Sequence, residues 1–268
     1  MAENNFSLQK TLTMLLDEKK YHSLRDILST MNPADIAAIF DDLDQACLPL
    51  LFRLLPKELA AETFVEMEPE AQELLIRGFS DSELKEVIDE LYVDDAVDIV
   101  EEMPANVVQR ILSQAEPDMR KQINEILRYP EDSAGSIMTT EYVSLRPNMT
   151  VEEAILRIRR TGIDKETIYT CYVTRGHKLI GLTSVKDLLL CEDDDATIES
   201  IMQEHVITVS TLDDKEQVAQ MFSKYNFLAL PVVDTEDRLV GIVTFDDAMD
   251  VMEDEATEDM EKMAAMLP

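Results

Sequence analysis

The chain has 268 residues, 46% of them hydrophobic, which is enough for two domains with sizeable cores. Its 56 acids against 24 bases give a formal net charge of −32, which excludes the basic footprint that nucleic acid or an anionic bilayer surface requires. No signal peptide and no run of eighteen apolar residues is visible, and Cys47, Cys171 and Cys191 are widely separated, so the expected setting is a reducing cytoplasm without a membrane span.

From the N-terminus, Met31, Leu43, Leu55, Met67, Phe79, Leu91, Met103, Ala115 and Leu127 lie twelve residues apart, and all are apolar. Turn formers such as Pro33, Pro56, Pro69, Ser80-Asp81, Pro104, Pro117 and Pro130 follow many of them closely. Between the turns the apolar spacing is helical, as in Leu84/Val87/Ile88/Leu91 and Val107/Ile111/Leu112. About ten short helices of roughly two to three turns are expected over residues 1–130, stacked because one short helix cannot bury its own apolar face. Asp94 and Asp98 share a helix side and repel, while Asp94 and Asp95 fall near a helix start, where the dipole tolerates negative charge. Helix capping and ion binding both remain open for this cluster.

After Pro130 short β-rich runs alternate with helices, and the pattern repeats. Ile137-Met138 leads one copy (131–200) and Ile201-Met202 the other (201–252). Each has a Val-rich run (Tyr142–Leu145; Val206–Val209) and an amphipathic helix (Val151–Arg160; Lys215–Lys224). Two strands around a turn follow (Thr167–Val173 and Leu179–Thr183; Phe227–Val233 and Leu239–Val243). Each copy closes on a glycine, a hydroxyl and an acid entering a helix: Gly181, Ser184 and Asp187, then Gly241, Thr244 and Asp247. This order resembles the CBS domain, and two in tandem resemble a CBS pair. Such pairs bind adenine nucleotides between the copies, and simple capping is the alternative reading of Ser184 and Asp187.

From Phe245 onward one long helix (245–268) is expected, with Met249, Met252, Ala256, Met260, Met263 and Leu267 as its apolar stripe. Acids crowd the rest, with Asp247, Asp250, Asp254, Glu258 and Glu261 along one side and only Lys262 opposing them. Like charges four residues apart cost about 0.2–0.5 kcal/mol per pair, so an external cation is expected to compensate. Mg²⁺ suits such a surface, because it binds one or two carboxylates and keeps several waters. The unpartnered Met stripe suggests a chain that continues beyond Pro268.

The order of parts, with Tyr129-Pro-Glu-Asp-Ser-Ala-Gly135-Ser-Ile-Met138-Thr as linker and Glu255-Ala-Thr-Glu258-Asp259 in the last helix, resembles the cytosolic region of the MgtE family of magnesium transporters. The resemblance implies an α + α/β chain: a helical superhelix, a tandem CBS pair and an acidic connecting helix, forming a homodimer through the CBS domains beneath a membrane domain, on the cytoplasmic face of the cell membrane. It implies Mg²⁺ between Glu62 and Asp94 on the helical domain and Asp247 and Asp250 after the second CBS unit, with further ligands at Asp214, Glu216, Glu255, Glu258 and Asp259. Asn226 stands where the family has an acid. For ATP it implies Tyr169, Asp187 and Phe227, with Ser184 beside them and Lys186 in place of an arginine. Mg²⁺ would hold the closed state and its loss would let the pore open; a nucleotide-sensing CBS module is the alternative function, and a scaffold a third. No nucleophile–base pair, P-loop or Cys/His zinc spacing supports an enzyme.

Overall fold

The prolines and serines of the first half start helices where the turn chemistry says they should. Pro33, Pro69 and Pro117 are the first residues of their helices, a position where the missing N–H is no loss. Ser80 caps its helix in a box with Glu83. The computed structural model describes residues 2–41 and 43–265. Among them the first 126 residues hold α1 (Ala2–Asp17), α2 (Tyr21–Leu28), α3 (Pro33–Asp41), α4 (Leu48–Phe52), α5 (Lys57–Val65), α6 (Pro69–Gly78), α7 (Asp81–Ile88), α8 (Val93–Glu102), α9 (Ala105–Gln114) and α10 (Pro117–Ile126). The first helix, at 16 residues, is longer than the repeat predicts.

The twelve-residue beat has a specific structural meaning. Met31, Leu55, Met67, Phe79, Leu91, Met103 and Ala115 each stand two residues before a helix begins. That is the place where an apolar side chain fixes the angle at which the chain enters the helix. All but Met31 are buried. The rings of Phe52, Phe64 and Phe79 meet at centroid distances of 5.4 to 6.4 Å in the core of this unit. The guanidinium of Arg110 on α9 donates to the carbonyls of Ile76 and Phe79, tying α9 to the α6–α7 turn.

The chain divides into two units, Met1–Leu91 with Asp95–Lys121, and Tyr92–Asp94 with Gln122–Pro268. The second holds two three-stranded sheets of the same plan. In the first, β1 (Tyr142–Leu145) runs parallel to β2 (Thr167–Arg175) through the crossover helix α11 (Val151–Thr161), and β3 (Lys178–Ser184) returns antiparallel into α12 (Val185–Leu190). A short helix, α13 (Ile198–Ile201), leads into the second copy: β4 (Val209–Ser210), α14 (Lys215–Tyr225), β5 (Ala229–Val233), β6 (Leu239–Thr244) and α15 (Phe245–Ala265). The sequence predicts a full strand over Val206–Val209, but pairing begins only at Val209. Upstream of it, Gln203 is bonded to Leu182 in the first copy's sheet.

Each copy's leading segment docks on the other copy's sheet. Thr139 bridges Ile242, and Gln203 bridges Leu182. Met138 lies against Gly241 and Met202 against Gly181, so close that a Cβ on either glycine would come within 2.7 and 2.6 Å of a methionine sulfur. The repeated Met and Gly of the sequence therefore interlock the two copies.

Candidate functional site

The acid-rich surface is built on α14 and α15, which pack against each other. Asp247, in the first turn of α15, is half-buried, and its carboxylate accepts from the Thr244 backbone N–H at 3.1 Å and from the Thr244 hydroxyl at 2.5 Å. Burial nevertheless pushes its carboxyl up to about 6, helped by the charges of Asp246 and Asp250, and the Thr244 bonds only partly oppose this. Two turns further along the same helix Glu255 is also raised, by loss of water first and then by Glu216 of α14 and Glu258. Lys215 and Lys262 pull it the other way, and Lys262 is bonded to Glu258 at 2.5 Å. Beyond Val251 the expected apolar stripe is not buried: Met260 and Met263 are about 70% exposed, and Leu267 lies outside the described residues.

The other expected ligands are distributed over both units. Asp214 is exposed and caps α14, accepting from the Gln217 N–H at 3.0 Å. Glu62 is exposed on α5, whereas Asp94, in the first turn of α8, is buried and Asp98 on the same helix is exposed. The side chains of Asp259 and Glu261 lie outside the described residues. Among the described residues no group of three or more His, Cys, Asp or Glu is arranged to hold a metal directly. The donor set is thus carboxylate-only and mutually repelling, which fits a hard, water-carrying cation better than a closed protein cage.

Of the nucleotide candidates, Tyr169, Ser184, Lys186 and Asp187 lie toward one end of the first sheet, where Thr170 pairs with Ser184, whereas Phe227 lies just before β5 in the second copy. Ser184 and Asp187 form a complete capping box at the start of α12, with the Ser184 hydroxyl donating to the Asp187 carboxylate at 2.6 Å. Asp187 and Lys186 remain exposed, and Tyr169 is 68% exposed. Phe227 is half-buried, packed edge-on to Phe222 and tilted against Tyr225. In the sequence Asn226 stands out only as a missing acid. In the structure it ends α14 with φ 54°, ψ 44°, a left-handed cap that asparagine tolerates better than most residues with a side chain.

The family model for the MgtE intracellular N domain matches residues 31–132, and the CBS-domain model matches 134–192 and 198–254. Two magnesium transporters named MgtE, from Thermus thermophilus and Bacillus subtilis, are 39% and 32% identical over 97% and 95% of this chain. The chain spans 58% and 56% of their lengths. A solved cytosolic domain of the Mg²⁺ channel MgtE, in complex with ATP, superposes with a TM-score of 0.85 at 38% identity, covering 91% of this chain and 99% of that one. With both domain models matched in this order and the cytosolic MgtE structure superposing over nearly its whole length, the chain belongs to the MgtE family.

Proposed function

We propose that this chain is the Mg²⁺-sensing regulatory region of a magnesium transporter or channel, in which Mg²⁺ bound among acids of the helical domain, the CBS pair and the last helix favours a compact, closed state. The observation that carries this reading is the crowding of carboxylates on α14 and α15: Asp247 is raised to about 6 by burial first and then by repulsion from Asp246 and Asp250, and Glu255 is raised by loss of water first and then by repulsion from Glu216 and Glu258. A divalent cation relieves that repulsion, and at low Mg²⁺ the same charges push the domains apart, a ligand-biased equilibrium between two states. Glu62, Asp94, Asp98, Asp214, Glu216, Asp247, Asp250, Glu255, Glu258 and Asp259 are the ligands proposed, several through water. The domains proposed are residues 1–130, 131–200 and 201–252, with 245–268 as the connecting helix. The region would work as a homodimer through its CBS domains, at the cytoplasmic face of the membrane and beneath a membrane domain.

ATP is proposed as a second ligand, with Asp187 on the ribose, Tyr169 and Phe227 on the base, and Ser184 and Lys186 beside them. The likeness to an ATP-bound MgtE cytosolic domain and the exposure of Tyr169 and Asp187 favour it. The deciding experiment is small-angle scattering of this chain across millimolar Mg²⁺, with K⁺ at matched ionic strength. Compaction by Mg²⁺ alone, weakened by Asp247→Ala and Asp94→Ala, supports the sensor. Equal compaction by both salts reduces the acids to general screening and leaves the nucleotide-sensing reading ahead.

A further inference from the structure

One cavity in the second unit has a composition unlike the rest of the chain. It lies where β1 and β2 end, has a volume of about 620 Å³, and is lined by Arg146, Arg157, Arg175 and His177, with no acid among its lining residues. Lysine and arginine are scarce in this sequence, 24 against 56 acids, so three arginines with a histidine around one cavity are a strong local departure. Arg175 is paired with Glu199 at 2.6 Å, but among the described residues neither Arg146 nor Arg157 makes an ion pair. The hydroxyls of Ser144 and Thr174, 3.0 Å apart, also line the cavity and add neutral hydrogen-bonding groups.

The second copy supplies an internal control. Leu145 pairs with Val173, and Val173 with Gly181; in the second copy Val209 pairs with Val232, and Val232 with Gly241. Arg146 therefore corresponds to Ser210. Arg157, the seventh residue of α11, corresponds to Met221, the seventh of α14. Arg175 corresponds to Asp234, two residues beyond Val232. All three cations are absent from the copy that shares the same backbone plan. The cavity at the matching place there is smaller, about 180 Å³, and its Lys178 is paired with Asp237 at 2.9 Å. The fold does not require the arginines, so they mark a property of the first copy alone.

The cavity is also separate from the proposed nucleotide box. Thr170 faces Ser184 at one end of β2, and Arg175 faces Lys178 at the other. Five residues of strand at about 3.3 Å each separate the two ends by roughly 17 Å.

We propose that this cavity is a second anion site, taking a small soluble metabolite that carries two or more phosphate charges. Guanidinium groups bind phosphate oxygens in a fork geometry, and a volume of this size suits a small molecule. In a chain of net charge −32 an anion is held only where local cations outweigh the general field.

The test is calorimetry of the whole chain, freed of divalent metal, with inorganic pyrophosphate at about 0.15 M salt. The variant is Arg146→Ser with Arg157→Met, the residues the second copy already holds at these places, with circular dichroism to confirm folding. Asp187→Ala is the control for the nucleotide box. Saturable binding that is at least about tenfold weaker in the double variant and unchanged in Asp187→Ala supports the site. The proposal is overturned by absence of binding at millimolar pyrophosphate, by equal binding to the double variant, or by loss of binding in Asp187→Ala. Citrate binding as tightly as pyrophosphate overturns the assignment to phosphate. None of these outcomes depends on whether Mg²⁺ compacts the chain.

Discussion

Replacing Asp247 by asparagine should stabilise the second CBS copy without Mg²⁺ and remove part of the response to Mg²⁺. The folded carboxyl titrates at about 6, against 3.8 for the free group. Between those values the native state holds a proton that the unfolded state has released, so stability falls as pH rises through the window. Above it the full penalty applies, at most about 3 kcal/mol at 1.36 kcal/mol per pK unit. Asparagine carries no charge but keeps an oxygen for the Thr244 N–H. The loss is the charge assistance of two bonds, about 1 kcal/mol. The expected net gain is about 2 kcal/mol at pH 7.5 in EDTA. Adding Mg²⁺ narrows the comparison, because only the charged form gains from the ion. Ten times its dissociation constant is worth about 1.4 kcal/mol to the wild type. The chain has no tryptophan, so the assay is urea denaturation followed by circular dichroism, with amide exchange in β5 and β6 reporting the second copy directly. Other carboxylates titrate in the same range, so the diagnostic quantity is the difference between the two proteins from pH 4 to 7.5. A variant less stable than wild type at pH 7.5 in EDTA, or a difference that does not change with pH, refutes the reasoning.

Three further outcomes follow from the structure. Gly241→Ala drives a Cβ to 2.7 Å from the Met138 sulfur and 2.8 Å from the Thr139 carbonyl. It should cost about 1–3 kcal/mol in urea melts, and Met138→Ala in the same chain should recover part of the loss. Asn226→Val places a β-branched side chain at φ 54° and should cost about 1–2 kcal/mol, whereas Asn226→Gly should be close to neutral by the same measurement. Tyr169→Ala should weaken ATP binding several-fold in calorimetry and leave Mg²⁺-dependent scattering unchanged, since the ring is 68% exposed and supports little of the core.

The helices of the first unit are legible because their signals are local. A proline or serine near many of the starts and an apolar residue at seven of the entries recur on a twelve-residue beat, and neither depends on distant contacts. The doubled copies are legible for the same reason, down to the hydroxyl and acid that cap α12 and α15. What the sequence does not reveal is long-range. The exchange of leading segments sets Met138 on Gly241 and Met202 on Gly181 across more than twenty residues, with no periodicity to announce it. Asn226 reads as a lost acid because its left-handed backbone is invisible in composition. The four basic residues at 146, 157, 175 and 177 are spread over thirty-two positions of the sequence, and only the fold gathers them.

The two copies share one backbone plan and have divided the charges between them. The second copy carries the acids into α15, where Asp247 occupies the place that Asp187 holds in the first, but half-buried and flanked by Asp246 and Asp250. The first copy keeps its equivalent acid exposed, and places arginines where the second has Ser210, Met221 and Asp234. Neither distribution is needed to close a three-stranded sheet, because each copy closes the same sheet without the other's set. Charge is therefore the variable that separates the copies. On the two proposals made above, it would direct cations toward the second and anions toward the first, on a frame in which Met138 lies against Gly241 and Met202 against Gly181.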